Sequence, residues 1–167
     1  MNEAITEKNI LEPNEIFNYV RERLVNSISR EGQKDGFDGA LLCIDTKNKK
    51  ITYTAANVNP VVISSAGVTE LPSNRMPVGK GEIYKPFELH TVELKQGETL
   101  YVYTDGFADQ FGGPRGKKFK YKQLNELLTR ISKGEMKEQL DTLNIEFEQW
   151  RGALEQVDDV CIIGLSL

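Results

Sequence analysis

The chain has 167 residues, 39% of them apolar, and a net charge of −4. That length suits one domain with a buried core, and no Pro-, Gly- or Ser-rich linker divides it. The acidic balance argues against a nucleic-acid or membrane-surface binder, because both partners recruit clustered positive charge.

In chain order, Met1 to Glu12 is acidic and broken and lacks the basic and apolar regions of a signal peptide. No later stretch approaches the ~20 apolar residues that span a bilayer, so the chain reads as soluble, unprocessed and cytoplasmic. A helix is predicted from Pro13 to Glu31: proline suits the first turn, and Ile16, Phe17, Val20, Leu24, Val25 and Ile28 recur on one face. Strand character follows at Gly39 to Asp45, Ile51 to Ala56, Pro60 to Ser64 and Val68 to Leu71, with polar turns between them that favour antiparallel hairpins. A looser stretch through Pro72, Pro77, Gly79 and Gly81 leads to a further hairpin, Phe87 to Leu94 and Glu98 to Thr104, around Lys95-Gln96-Gly97. Beyond a glycine-rich, basic loop from Gly112 to Lys120 come helices at Tyr121 to Ser132 and Glu135 to Leu154, then a final strand from Asp159 to Leu167. Strands and helices segregated in this way predict an α+β fold with an antiparallel sheet.

Cys43 and Cys161 each lie in an apolar run, which predicts buried free thiols in a reducing compartment. The single histidine, His90, sits in an alternating segment and is assigned a surface or structural role; one histidine makes no zinc site. Along the last helix Met136, Leu140, Leu143, Phe147 and Trp150 share a helical spacing and are expected to face the core.

The acidic residues of interest are Asp105, at the C-terminal end of the apolar strand Tyr101-Val102-Tyr103-Thr104, and Asp158-Asp159, at the N-terminal start of Val160-Cys161-Ile162-Ile163. If those strands pair antiparallel, both ends reach one sheet edge. Gathered carboxylates repel one another, and a hard divalent cation with oxygen ligands relieves the repulsion. On spacing alone, a plain Asp-Gly turn and an acidic strand start account better for the same residues.

The stretch from Leu100 to Gln110 (Leu-Tyr-Val-Tyr-Thr-Asp-Gly-Phe-Ala-Asp-Gln), followed by Gln156-Val157-Asp158-Asp159-Val160, resembles the last two metal motifs of the SpoIIE-like branch of the PPM phosphatases. The likeness continues through Asp35-Gly36-Phe37-Asp38-Gly39-Ala40-Leu41, Tyr53-Thr54-Ala55-Ala56-Asn57, Met76-Pro77-Val78-Gly79 and Gln110-Phe111-Gly112-Gly113-Pro114, and so covers nearly the whole chain from Leu11. The resemblance implies two stacked antiparallel sheets flanked by helices, with a two-metal centre of Mn²⁺ or Mg²⁺ that activates water against phosphoserine or phosphothreonine. It also implies that Asp105 and Asp158 bind metal and that Asp159 has an auxiliary part. Gly106 and Asp109 would support the site loop. Asp38 opens a strand that could face the same edge, although a structural turn suits it better. The substrate implied is a phosphorylated regulatory protein such as an anti-sigma-factor antagonist.

One departure is serious. The family begins with a strand that carries a bridging aspartate, followed by Gly-His-Gly, and neither motif occurs here. The expectation is an N-terminally incomplete domain that starts within a larger parent, binds metal poorly alone, and exposes sheet edges through which two copies could pair. A non-catalytic phosphatase-like interaction module is the alternative. Val58 is a lesser departure, in a turn where many relatives have histidine. Arg115, Lys117, Lys118 and Lys120 form a basic run that could attract an acidic phosphoprotein, or simply be a solvated loop. The same loop is one residue short of a nucleotide-binding spacing and has no Ser or Thr after its lysine, which excludes that use.

Overall fold

Apolar residues recurring every three to four positions make the two long C-terminal segments helical, and alternating or continuous β-branched runs make the middle of the chain extended. The computed structural model describes residues 1–27 and 36–166. Its elements are α1 (Asn2–Thr6), α2 (Pro13–Ser27), β1 (Gly36–Phe37), β2 (Gly39–Asp45), β3 (Lys50–Ala56), β4 (Val61–Ser64), β5 (Gly67–Glu70), β6 (Val78–Gly79), β7 (His90–Glu93), β8 (Thr99–Tyr103), α3 (Gly106–Asp109), β9 (Phe111–Gly112), β10 (Lys117–Lys118), α4 (Tyr121–Ile131), α5 (Met136–Arg151) and β11 (Ile162–Leu165). The α+β class and the antiparallel pairing agree with the sequence. The last four residues of the predicted first helix, and Asp35, lie outside the described residues.

Two compact units are present. The first comprises residues 1–60 and 71–94, and the second comprises residues 61–70 and 95–166. In the first, the antiparallel sheet β2-β3-β7 and the small pair β1-β6 pack with α2. Phe17 of α2 is the hub: its ring meets those of Phe37 and Phe87 edge-on at 5.8 and 5.4 Å, beside Ala56, Met76 and Val78. Arg21, one turn further along α2, is buried, with no carboxylate partner among the described residues. It donates to the Lys85 carbonyl at 2.7 Å and to Asn18 at 3.1 Å, and its guanidinium lies 4.2 Å from the Tyr84 ring centre. Such stacking and carbonyl bonding offset the cost of burying the charge. His90 stacks on Tyr53 with ring centres 5.2 Å apart, which fits the structural role expected of it.

The second unit is built on a sheet in the order β11-β8-β4-β5, antiparallel throughout. Its inner strands β8 and β4 carry Tyr101, Tyr103, Val61 and Ile63, which join Leu124, Leu127 and Leu128 of α4 and Leu143 and Phe147 of α5 in one core.

Several expectations are corrected. Cys43 and Cys161 are exposed, because β2 is an edge strand and Cys161 precedes another one. On α5, Met136 and Leu140 are exposed, at 36% and 56%, whereas Gln139 is buried. The inward face of the first turns is thus rotated toward Gln139, which accepts the Tyr101 hydroxyl and donates to the Gly134 carbonyl. The predicted basic loop is a short hairpin, β9 with β10, and the final strand begins at Ile162 rather than Asp159.

Candidate functional site

The strand β8 is apolar and almost wholly buried, so its path is fixed by the core up to Tyr103, and the chain emerges at Thr104 and Asp105. Its partner β11 pairs Ile162 with Tyr103 and Ile163 with Val102. The ladder runs one step further, where the Thr104 amide donates to the Cys161 carbonyl at 3.0 Å. There the Thr104 hydroxyl takes over: it accepts the Cys161 amide at 3.0 Å and donates to the Asp159 carbonyl at 2.9 Å. The antiparallel arrangement expected from the sequence therefore brings the Asp105 turn against the Asp158-Asp159 segment.

Asp105 precedes the single-turn helix α3, yet its side chain makes no capping hydrogen bond and is exposed. What anchors it is the next turn. Phe107 and Ala108 are buried, and the Phe107 ring lies 5.0 Å from those of both Phe119 and Phe147. Gly106 lies so close to the opposite segment that a Cβ there would overlap the Asp159 carbonyl and stand 3.2 Å from the Asp158 oxygen. Asp158 is exposed; its carboxylate accepts the Asp159 amide at 2.7 Å, and its carbonyl accepts Gln156 at 2.7 Å. Asp159 is exposed, and it is its carbonyl that accepts the Thr104 hydroxyl.

The remaining residues singled out in the sequence are distributed as follows. Asp109 closes α3 and pairs with Lys118 at 2.9 Å, which ties the β9-β10 hairpin to the turn that carries Asp105. Arg115 and Lys117 are exposed on that hairpin. Asp38 belongs to the first unit, between β1 and β2, where it accepts Asn57 at 2.9 Å. Sequence reasoning missed Thr104 and Tyr121. Burial raises the Tyr121 phenol pKa, and the negative charges of Asp105 and Asp109 raise it further, so the field of this acidic turn extends to the start of α4.

For a divalent cation, the donor type fits. Asp105 and Asp158 are hard oxygen donors, exposed, and without an ion-pair partner among the described residues. The number of donors does not close a site: among the described residues, no group of three His, Cys, Asp or Glu side chains is placed to hold a metal ion.

The family model for Stage II sporulation protein E (SpoIIE) matches residues 2–167. The chain belongs to the SpoIIE family. It is thereby a member of the SpoIIE-like branch of the PPM phosphatases, and solved structures agree. The SiaA-PP2C domain of Pseudomonas aeruginosa matches with a TM-score of 0.84 at 22% identity, over 99% of this chain and 64% of that one. The PP2C phosphatase domain of SpoIIE from Bacillus subtilis, with a fragment of its regulatory domain, matches with a TM-score of 0.67 at 16% identity, over 92% and 44%. RsbX in complex with magnesium matches with a TM-score of 0.55 at 15% identity, over 95% and 63%. These likenesses carry the fold, that of PP2C phosphatase domains, and this SpoIIE-family chain spans less than two thirds of each. No curated protein sequence matches it. No helix among the described residues is long and apolar enough to cross a membrane.

Proposed function

We propose that this chain carries the larger part of a metal-dependent centre that hydrolyses phosphoserine or phosphothreonine on a bacterial signalling protein, such as an anti-sigma-factor antagonist. Asp105 and Asp158 are its catalytic carboxylates and hold Mn²⁺ or Mg²⁺. Asp159 is auxiliary, and Gly106 and Asp109 are supporting residues. The observation that carries the reading is the β8-β11 pairing, which sets the Asp105 turn against the Asp158-Asp159 backbone in a SpoIIE-family chain. The magnesium named for RsbX is in keeping with this cation class.

When bound, such a cation neutralises a phosphoryl group and lowers the pKa of its water. The chain's own contribution is to hold two carboxylates at adjoining strand ends and to present Arg115, Lys117 and Lys118 as a cationic rim toward an acidic, phosphorylated surface. The reading requires a further carboxylate to complete the donor set, since no group of three such side chains is placed to hold a metal among the described residues.

The test is phosphate release from a phosphoserine protein with Mn²⁺. It compares the 167 residues alone with a longer polypeptide that adds an aspartate and Gly-His-Gly. The longer form is expected to be active, the shorter weak or inactive, and Asp105→Asn to remove most of the release. Unchanged release by that variant would end the reading. The lack of the bridging motif in this sequence favours a second reading, a non-catalytic interaction module. It would be selected if the longer form binds the phosphoprotein without hydrolysing it. Among the described residues β11 is paired on one side only, and we assign its outer edge as a place where two copies pair. Sedimentation at a single-chain mass at all concentrations would refute that pairing.

A further inference from the structure

Gln110, directly after α3, is completely buried, and its side chain is the most heavily bonded amide near the acidic turn. Its Nε2 donates to the carbonyls of Glu155 at 2.9 Å and Phe111 at 3.0 Å, and its Oε1 accepts the Val157 amide at 3.2 Å. Its own carbonyl accepts the Trp150 indole at 3.0 Å and the Phe119 amide at 3.0 Å. The side chain thus meets the backbone of residues 155–157 as a neighbouring strand would, giving a donor to one carbonyl and an acceptor to the amide two residues on.

The position of this tie is what matters. Thr104 joins the two segments on one side, through Asp159 and Cys161, and Gln110 joins them on the other, through Glu155 and Val157. Asp105 lies between the ties on one segment, and Asp158 lies between them on the other. Residues 155–157 are exposed and outside any strand, so no sheet ladder orders their backbone. We infer that Gln110 is a positioning residue that fixes the spacing of the Asp105 and Asp158 carboxylates through the backbone of Glu155 to Val157. It acts on the donors and touches neither metal nor substrate. The inference rests on the metal-site reading above.

Gln110→Met keeps the length and bulk of the side chain but removes its donor and acceptor. Three measurements test the inference: urea unfolding and amide exchange at Val157 without metal on the 167-residue chain, and Mn²⁺ titration by calorimetry on the longer polypeptide that adds the aspartate and Gly-His-Gly. A folded Gln110→Met is expected to exchange Val157 about tenfold faster or more, while the α4 amides keep their protection. Its Mn²⁺ affinity falls by about 10-fold, in the range seen when supporting partners of metal ligands are lost. Leu128→Ala, matched or greater in lost stability, keeps its Mn²⁺ affinity. Equal losses of affinity in the two variants, or unchanged Val157 exchange in a folded Gln110→Met, would overturn the inference. If Gln110→Met does not fold, Gln110→Glu, which keeps an acceptor and loses the donor, is judged by the same measurements. A longer wild-type polypeptide that binds no Mn²⁺ would count against the metal reading alone, and Val157 exchange would then decide the role of Gln110.

Discussion

Gly106 and Asp159 stand in direct backbone contact: a Cβ on Gly106 would overlap the Asp159 carbonyl oxygen and lie 2.9 Å from its carbon. Neither neighbour is a flexible side-chain tip, so the overlap is relieved only by moving a strand end. Gly106→Ala is therefore expected to destabilise by about 1–3 kcal/mol, the usual cost of overpacking. The urea midpoint measures it, and a wild-type midpoint would show that the two segments are freer to part than this contact implies.

Thr104 makes two hydrogen bonds through one hydroxyl, to the Asp159 carbonyl and from the Cys161 amide. Thr104→Val preserves shape and loses both. The site is solvent-exposed, so water replaces part of what is lost and the expected cost is about 0.5–1.5 kcal/mol. Mn²⁺ affinity should fall more than this modest loss of stability suggests, because the variant releases the segment that carries Asp158.

The ion pair between Lys118 and Asp109 is 44% and 41% exposed, and exposed pairs contribute about 0–1 kcal/mol. Lys118→Ala should leave the unfolding midpoint nearly unchanged. If the β9-β10 hairpin is a substrate rim, Arg115→Ala with Lys117→Ala should raise KM for an acidic phosphoprotein several-fold and flatten its dependence on salt. Steady-state kinetics at two ionic strengths are the check.

Stability should also fall at alkaline pH. Burial pushes the phenols of Tyr53, Tyr101 and Tyr103 up to about 12, above the ordinary tyrosine value of about 10. A pKa raised in the folded state means that the unfolded chain loses these protons first. The contribution is then whole below pH about 10 and drains away as pH rises toward about 12. Urea unfolding at pH 9, 10 and 11 should show a level midpoint followed by a decline. Tyr103→Phe should weaken that decline, though it also removes the hydroxyl that donates to Asn125 at 2.9 Å.

The sequence by itself determined the longer helices and the main strands, since periodicity and turn chemistry are local, but not the short elements α1, α3, β1, β6, β9 and β10. β2 spans Gly39–Asp45 as expected, and α4, Tyr121–Ile131, falls within the helix predicted from Tyr121 to Ser132. The paired motifs around Asp105 and Asp158 were equally legible, because residue types in a fixed order are all that a family resemblance requires. Only tertiary structure decided what depends on neighbours distant in the chain. Cys43 looked like core until β2 proved to be an edge strand, and Leu140 looked buried until Gln139 met Tyr101. Gln110 carried no local sign of its role, because a glutamine reveals itself as a backbone tie only when a remote segment supplies the carbonyl and amide it joins.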